Sequence, residues 1–265
     1  MRSIVFLDLD NTFWDQENVV PASTMSAIRR AQANGHVVFS NTGRSRGGTR
    51  DLTSYGLDGR SYAAGNEVFV GDKKIHDRPL TLEESLALRS ALDFGIGILI
   101  AEGGDRCFVH AYDRELFEEQ RARIAAVGDP FLDHDDLYTM TEADHLQTYK
   151  YSLFVEGGVP EEVKAACPAG FAPTTMGPAT EFTRVGTSKA TSLSIVANYY
   201  AEIDGEMPRT IAIGDSANDL PMMRAADVSV CMGNGTDAAK SEADFVTAAI
   251  HDDGVFHAFE HFGLI

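Results

Sequence analysis

The run Ile4-Val5-Phe6-Leu7-Asp8-Leu9-Asp10 constrains the fold more than any other stretch of this 265-residue chain. Its apolar start reads as a buried strand, and its end carries two carboxylates. Side chains alternate along a strand, so Asp8 and Asp10 leave on one side while Leu9 points to the other. Two acids one pleat apart repel each other unless positive charge lies between them. A hard cation such as Mg2+ supplies that charge and prefers oxygen ligands of this kind. Open α/β sheets bind their ligands at the carboxyl ends of the strands. A lone Asp at a strand end would read as a loop cap, but three further stretches speak against that here.

The first is His36-Val37-Val38-Phe39-Ser40, a second buried strand ending in Asn41-Thr42-Gly43-Arg44. Thr42 can donate to a phosphate oxygen, and Gly43 lets the backbone approach closely. Taken alone it would read as a strand-to-helix turn with a Thr cap. The second is Gly186-Thr187-Ser188-Lys189-Ala190, which opens a helix capped by Thr187 or Ser188 and running to about residue 201. Lys189 falls in the first turn, where the helix dipole disfavours a cation. That conflict points to an anion at the helix start. The third is Gly214-Asp215-Ser216-Ala217-Asn218-Asp219, after a strand at 209–213. A Gly turn with two acids and an amide at a strand tip is costly to build unless it binds something.

The rest of the chain reads as α/β. A helix spans 21–34, with Pro21 in its first turn, Met25, Ile28 and Ala31 on one face, and Gly35 as its stop. Trp14, the only tryptophan, packs in the core or sits over the site as part of a flap. Arg44, Arg46 and Arg50 either steer a phosphorylated substrate or pair with acidic surface. A hairpin over 68–75 turns at Gly71-Asp72. Near residue 80 the character changes. Thr81-Leu82-Glu83-Glu84 is a capping box opening a helix to about residue 93. Strands at 95–101, 106–112, 149–156, 171–176 and 180–185 follow, with helices at 113–127 and 160–166. Residues 131–148 read as an acidic, irregular loop in which His134-Asp135-Asp136 is solvated rather than a metal site. The fold expected is a doubly wound, Rossmann-like α/β parallel-sheet core formed by 1–80 and 186–265. An α/β cap domain at 81–185 is inserted in it, placed to choose the substrate and exclude water.

Composition narrows the partners. Lys+Arg is 22 against 40 Asp+Glu, a net charge of -18. That surface repels nucleic acid and acidic membranes, so anionic small molecules must be drawn by local positive charge. No apolar run is long enough to span a membrane. The chain starts directly into a strand with no signal-peptide pattern, which predicts a cytoplasmic protein. Cys107, Cys167 and Cys231 are scattered and odd in number, as expected in a reducing compartment. The pattern fixes no oligomeric state.

Asp8-Leu9-Asp10-Asn11-Thr12 resembles motif I of the haloacid dehalogenase (HAD) superfamily of phosphotransferases. Thr42-Gly43 resembles motif II, Lys189 motif III and the 214–219 run motif IV, so the resemblance covers nearly the whole chain. It is nearest to the Cof-type subgroup, with a C2B-like cap between the second and third motifs. The resemblance implies a Mg2+-dependent phosphatase acting on a small phosphomonoester, such as a sugar phosphate or similar metabolite. By the same resemblance Asp8 attacks phosphorus to form an aspartyl phosphate, and Asp10 is the acid and base. The Asp8 carboxylate, the Asp10 main-chain carbonyl and Asp215 hold Mg2+, with Ser216 beside them. Asp219 orients metal-bound water. The backbone of Leu9 with Thr42, Gly43, Lys189 and Asn218 holds the phosphate. Two departures stand out: Ala190 replaces the usual Gly after the lysine, and Gly65-Asn66-Glu67 stands where the subgroup has Asn-Gly-Ala. A phosphomutase of the same superfamily is the alternative. A receiver-like phospho-aspartate module is the other, although such modules are shorter, have no cap and lack the second acid.

Overall fold

The computed structural model describes residues 2–128, 135–176 and 178–265. His134, expected in the solvated acidic loop, lies outside the described residues.

The chain opens with β1 (Ser3–Leu7), α1 (Ala22–Ala33), β2 (Val37–Asn41), β3 (Gly59–Tyr62), β4 (Glu67–Val70) and β5 (Lys73–Asp77). There follow α2 (Leu82–Leu92), β6 (Ile98–Gly103), β7 (Cys107–Ala111), α3 (Arg114–Ala126), β8 (Asp135–Asp136) and α4 (Glu142–His145). Next come β9 (Thr148–Phe154), α5 (Glu161–Ala165), β10 (Phe171–Met176) and β11 (Ala179–Arg184). The chain closes with α6 (Lys189–Asp204), β12 (Arg209–Gly214), α7 (Leu220–Ala225), β13 (Val228–Cys231), α8 (Asp237–Glu242), β14 (Phe245–Val246) and α9 (Gly254–His261).

These elements form two compact units. One comprises Met1–Gly43, Leu52–Asp77 and Ser188–Ile265, the other Arg44–Asp51 and Arg78–Thr187. The short segment after Gly43 thus belongs by its contacts with the second unit. There Arg46 pairs with Asp105 at 2.8 Å, and Arg50 donates to the Val127 carbonyl at 2.9 Å. Arg46 thus pairs with an acidic side chain, and Arg50 holds a backbone carbonyl. Gly47 is required in that segment, since a Cβ would lie 2.5 Å from the Arg106 amide nitrogen.

The first unit holds a sheet ordered β14-β13-β12-β1-β2-β3-β4-β5. Its strands from β14 through β3 run parallel, and β4 and β5 extend it antiparallel. Alternation gives each face its own core. Val5, Leu7, Val38, Ile211 and Ile213 meet Ile28 and Ala31 of α1 and Val255 and Phe259 of α9. On the other face Ile4, Phe6, Phe39 and Ala212 meet Leu193 and Val196 of α6 and Met222 and Met223 of α7. Helices on both faces of a parallel sheet make the doubly wound α/β arrangement. Strands buried on both faces carry continuous apolar runs, which is why β1 and β2 were legible as strands.

The second unit is built on a sheet ordered β10-β11-β9-β6-β7-β8, antiparallel but for the short β7–β8 pair. The capping box at α2 is present: Thr81 Oγ1 accepts from the Glu84 amide at 3.2 Å, and Glu84 Oε2 accepts from the Thr81 amide at 2.8 Å. Arg184 binds the same Glu84 carboxylate and holds its pKa down at about 2. Part of the stretch expected to be irregular is ordered. It contains β8 and α4, the helix opening on a second capping box in which Thr141 and Asp144 exchange bonds. Aspartate in place of the usual Glu or Gln is what hid that signal.

Inside the second unit Lys150 is buried with Glu102 and partly buried Glu181. Its ammonium lies 3.3 Å from Glu102 and also bonds Glu181. Ser152 Oγ donates to Glu102 at 2.5 Å. Burial opposes the Lys150 charge, but the two carboxylates outweigh it and raise its pKa. Removing one member of such a set leaves an uncompensated buried charge. Lys150→Met should lower unfolding free energy by about 3–5 kcal/mol, measured by urea titration. The double variant with Glu102→Gln should recover part of that loss. A Lys150→Met protein as stable as the parent would contradict a charge-balancing role for this lysine.

Candidate active site

Four of the residues singled out in the sequence, Asp8, Lys189, Asp215 and Asp219, converge where the parallel strands end. β1 pairs with β12 so that Leu7 faces Ile213, and Asp8 and Asp215 follow one and two residues further on, at the tips of adjacent strands. Asp219 reaches the same point from the turn after β12. One oxygen of each of Asp8, Asp215 and Asp219 lies within 4.8 Å of the others, and all three side chains are buried. Gly214 makes this possible, because a Cβ there would sit 2.4 Å from the Asp219 carboxyl carbon.

Lys189, the first residue of α6, is the counter-charge. Its ammonium donates to Asp219 at 2.6 Å and to Asp8. The anion anticipated at this helix start is therefore already partly supplied by the protein's own carboxylates. The lysine is only 2% exposed, so these bonds are little screened by water. Asp219 uses its second oxygen to accept from the amides of Asp215 at 2.9 Å and Ser216 at 3.1 Å. It thereby fixes the turn that carries Asp215. Ser216 Oγ donates to the Asn218 side-chain oxygen at 2.8 Å.

The electrostatics are those of a site short of positive charge. Burial, followed by the neighbouring Asp219, holds Asp8 well above the usual carboxylate range, although Lys189 pulls the other way. Burial and Asp219 likewise push Asp215 up to about 6. Burial works against Lys189, but Asp219 and Asp8 more than offset it and raise its pKa. A crowded set of buried carboxylate oxygens is the donor chemistry a hard divalent cation takes. The residues present fit such an ion.

Asp10 lies near enough to Asp8 and Asp215 for its charge to raise the proton affinity of both. It is half-buried, and its Oδ1 accepts from the indole N–H of Trp14 at 3.2 Å. Thr42 follows β2, is buried, and donates its amide to the Ser61 carbonyl at 3.0 Å. Gly43 is half-buried beside it. The Leu9 carbonyl accepts from the amides of Phe13 and Trp14, each at 3.0 Å, and so closes a tight turn after β1.

Two supporting residues escaped the sequence reading. Asn41 donates to the Lys189 carbonyl at 2.9 Å and accepts from Ser192 at 2.8 Å, tying the start of α6 to the end of β2. Asn234 donates to the Asn11 carbonyl at 2.8 Å and accepts from the Ile250 amide at 2.8 Å. Its place in Gly233-Asn234-Gly235 signals a turn, but nothing local announces the partner more than two hundred residues away.

A profile of the haloacid dehalogenase-like hydrolases matches residues 5–259. The chain belongs to this family, in its Cof-type branch. It is 26% identical to YkrA of Bacillus subtilis over 263 residues, covering 99% of this chain and 98% of that protein. It is 27% identical to the 5-amino-6-(5-phospho-D-ribitylamino)uracil phosphatase YitU of Bacillus subtilis over 266 residues, 95% of this chain and 94% of that protein. Among solved structures, the HAD phosphatase BT1666 from Bacteroides thetaiotaomicron superposes with a TM-score of 0.80 at 26% identity, covering 100% of this chain and 96% of that one. The HAD-like chain is thus a phosphatase, and hydrolases of its superfamily generally use a divalent metal. The receiver-like reading falls with that assignment. No helix among the described residues is long and apolar enough to cross a membrane.

Lys189 tests the charge balance of the site. Lys189→Met leaves the buried carboxylates without their ammonium and should cost about 3–5 kcal/mol in metal-free buffer. Added Mg2+ should then raise the melting temperature of the variant more than that of the parent, because the ion meets a more negative site. Equal or smaller stabilisation of the variant, measured by differential scanning calorimetry, would count against the lysine as the counter-charge of the cluster.

Proposed function

We propose that this phosphatase hydrolyses a small phosphomonoester through a phosphorylated Asp8, with Asp10 as acid and base and Mg2+ as the metal. The observation that carries the reading is the placement of Asp8. It is buried at the end of β1, bonded to Lys189 and crowded by Asp215 and Asp219. A carboxylate held there without further use would be a net cost to the fold.

In this reading Asp8 attacks phosphorus, the bond from phosphorus to the leaving oxygen breaks, and Asp10 gives that oxygen its proton. Water then attacks the aspartyl phosphate, Asp10 takes the water's proton, and the bond to Asp8 breaks to release inorganic phosphate. Lys189 neutralises charge on the nucleophile and the phosphoryl group, an electrostatic contribution made in a buried site where it counts most. The Leu9 backbone, Thr42, Gly43 and Asn218 hold the phosphoryl oxygens. The carboxylates of Asp8 and Asp215, the main-chain carbonyl of Asp10 and Ser216 would hold Mg2+, and Asp219 would orient water at that site. When bound, Mg2+ neutralises charge so that an anion can be attacked by a carboxylate.

The substrate class proposed is a phosphorylated sugar or similar metabolite. YitU, whose name specifies a phosphorylated ribityl compound, and the strongly acidic surface both support a small molecule over nucleic acid. Choice among such substrates is assigned to residues 81–185. An aqueous, reducing compartment is proposed from the free state of Cys107, Cys167 and Cys231.

Chelation after metal-free dialysis should abolish phosphate release from p-nitrophenyl phosphate, and Mg2+ should restore it; full activity with chelator present would refute the metal requirement. Asp8→Asn should abolish both turnover and phosphoenzyme. Asp10→Ala removes help worth about 10²–10⁴ in rate, mostly from the second step when the leaving group is good. A burst of nitrophenol followed by slow turnover is expected in stopped-flow traces. Uniform slowing without a burst would exclude Asp10 as the acid and base.

A further inference from the structure

We propose that Trp14 is the positioning residue for Asp10: its indole N–H fixes the orientation of the Asp10 carboxylate. The inference rests on the reading of Asp10 as acid and base.

The bond runs from Trp14 Nε1 to Asp10 Oδ1 at 3.2 Å. The two partners differ in freedom. Asp10 is half-buried, and the terminal torsion of an aspartate is broad, so a fixed donor can set the plane of its carboxylate. Trp14 is 1% exposed and cannot turn. Its ring lies 5.8 Å from that of Phe13 and 6.5 Å from that of Tyr55, while Phe13 and Tyr55 meet edge to face at 5.1 Å. Close packing of this kind leaves a large ring a single rotamer. A buried indole N–H also needs an acceptor, which Asp10 supplies.

The backbone delivers the two side chains to each other. Asn11 adopts a left-handed conformation at φ 60°, and the Leu9 carbonyl takes the amides of both Phe13 and Trp14. The chain turns back, and Asp10 and Trp14 form an isolated parallel bridge. Asn234 holds the Asn11 carbonyl from outside the turn. The contact is therefore a product of the turn that follows the proposed nucleophile.

The chemistry of the donor matters as much as its place. An indole N–H only donates. It can orient a carboxylate without competing for the proton that the carboxylate gives and takes. In the first step its effect should scale with the demand for that proton: small for a leaving group that departs unaided, large for an alcohol that must be protonated; in the second step, where water must lose a proton, it should be the same for both. Misplacement of a reacting group by about 1 Å can cost about a hundredfold in rate.

Because the chain has one tryptophan, biosynthetic replacement by the benzothiophene analogue changes a single side chain. Sulfur takes the place of the N–H and the ring shape is kept. Trp14→Phe is the companion variant. Single-turnover and steady-state rates would be measured with p-nitrophenyl phosphate and an alkyl phosphate, with Mg2+ present. The analogue should slow the single-turnover phosphorylation step about ten- to a hundredfold for the alkyl ester, leave that step near parental for p-nitrophenyl phosphate while producing a nitrophenol burst before slow turnover, and have no further effect in an Asp10→Ala background. Equal slowing of the phosphorylation step on both esters, loss that persists without Asp10, or parental rates for the analogue would overturn the inference. The last would hold even if Trp14→Phe were impaired, since packing alone would then explain that variant. If Asp10→Ala itself does not steepen the dependence on leaving group, the acid/base reading has failed. If it does and the analogue does not, only the role of Trp14 has failed.

Discussion

Repulsion among carboxylates gathered at the end of a buried parallel sheet governs the first unit. Asp8 and Asp215 extend adjacent strands and cannot avoid each other, and Asp219 is folded in beside them. At an effective dielectric of about 20, two ionised carboxylates about 5 Å apart repel by roughly 3 kcal/mol. One ammonium, Lys189, binds two of the three. The site is thus poised: enough positive charge to fold, and too little to leave Asp8 and Asp215 at ordinary proton affinities. That imbalance links stability of the fold to capture of a cation.

Around the cluster, hydrogen bonds between distant segments fix each participant. Asn41 and Ser192 secure the start of α6, so that Lys189 arrives at a set height. Asp219 secures the backbone of Asp215 and Ser216. Asn234 secures the turn after β1, and the aromatic nest of Phe13, Trp14 and Tyr55 secures its side chains. Functional groups carried on loops gain precision when rigid elements hold those loops from several sides.

The second unit solves a different problem with similar means. Its sheet has apolar cores on both faces, one with Leu99, Phe108 and Tyr151 and one with Ile98, Ile100 and Cys107. It also buries the Lys150–Glu102–Glu181 set. Buried ion sets of this kind add little net stability over apolar packing, but they penalise any arrangement that leaves a member unpaired.

The sequence by itself determined the strands whose tips carry the chemistry, because a strand buried on both faces must be continuously apolar and any acid at its end stands out. Local glycine, capping and charge signals marked Asp8, Asp10, Thr42, Lys189 and the 214–219 turn one by one, whereas the meeting of Asp8, Lys189, Asp215 and Asp219 at one place belongs to the fold. The Thr81 capping box was readable because it too is local. The pairing of Arg46 with Asp105, the bridging by Asn41 and Asn234, and the hold of Trp14 on Asp10 were decided only by tertiary structure. An amide, arginine or indole in a sequence has many acceptors within reach of its chemistry. Which one it meets depends on parallel pairing of strands far apart in the chain and on turns whose left-handed residues, such as Asn11, set where the next side chains land.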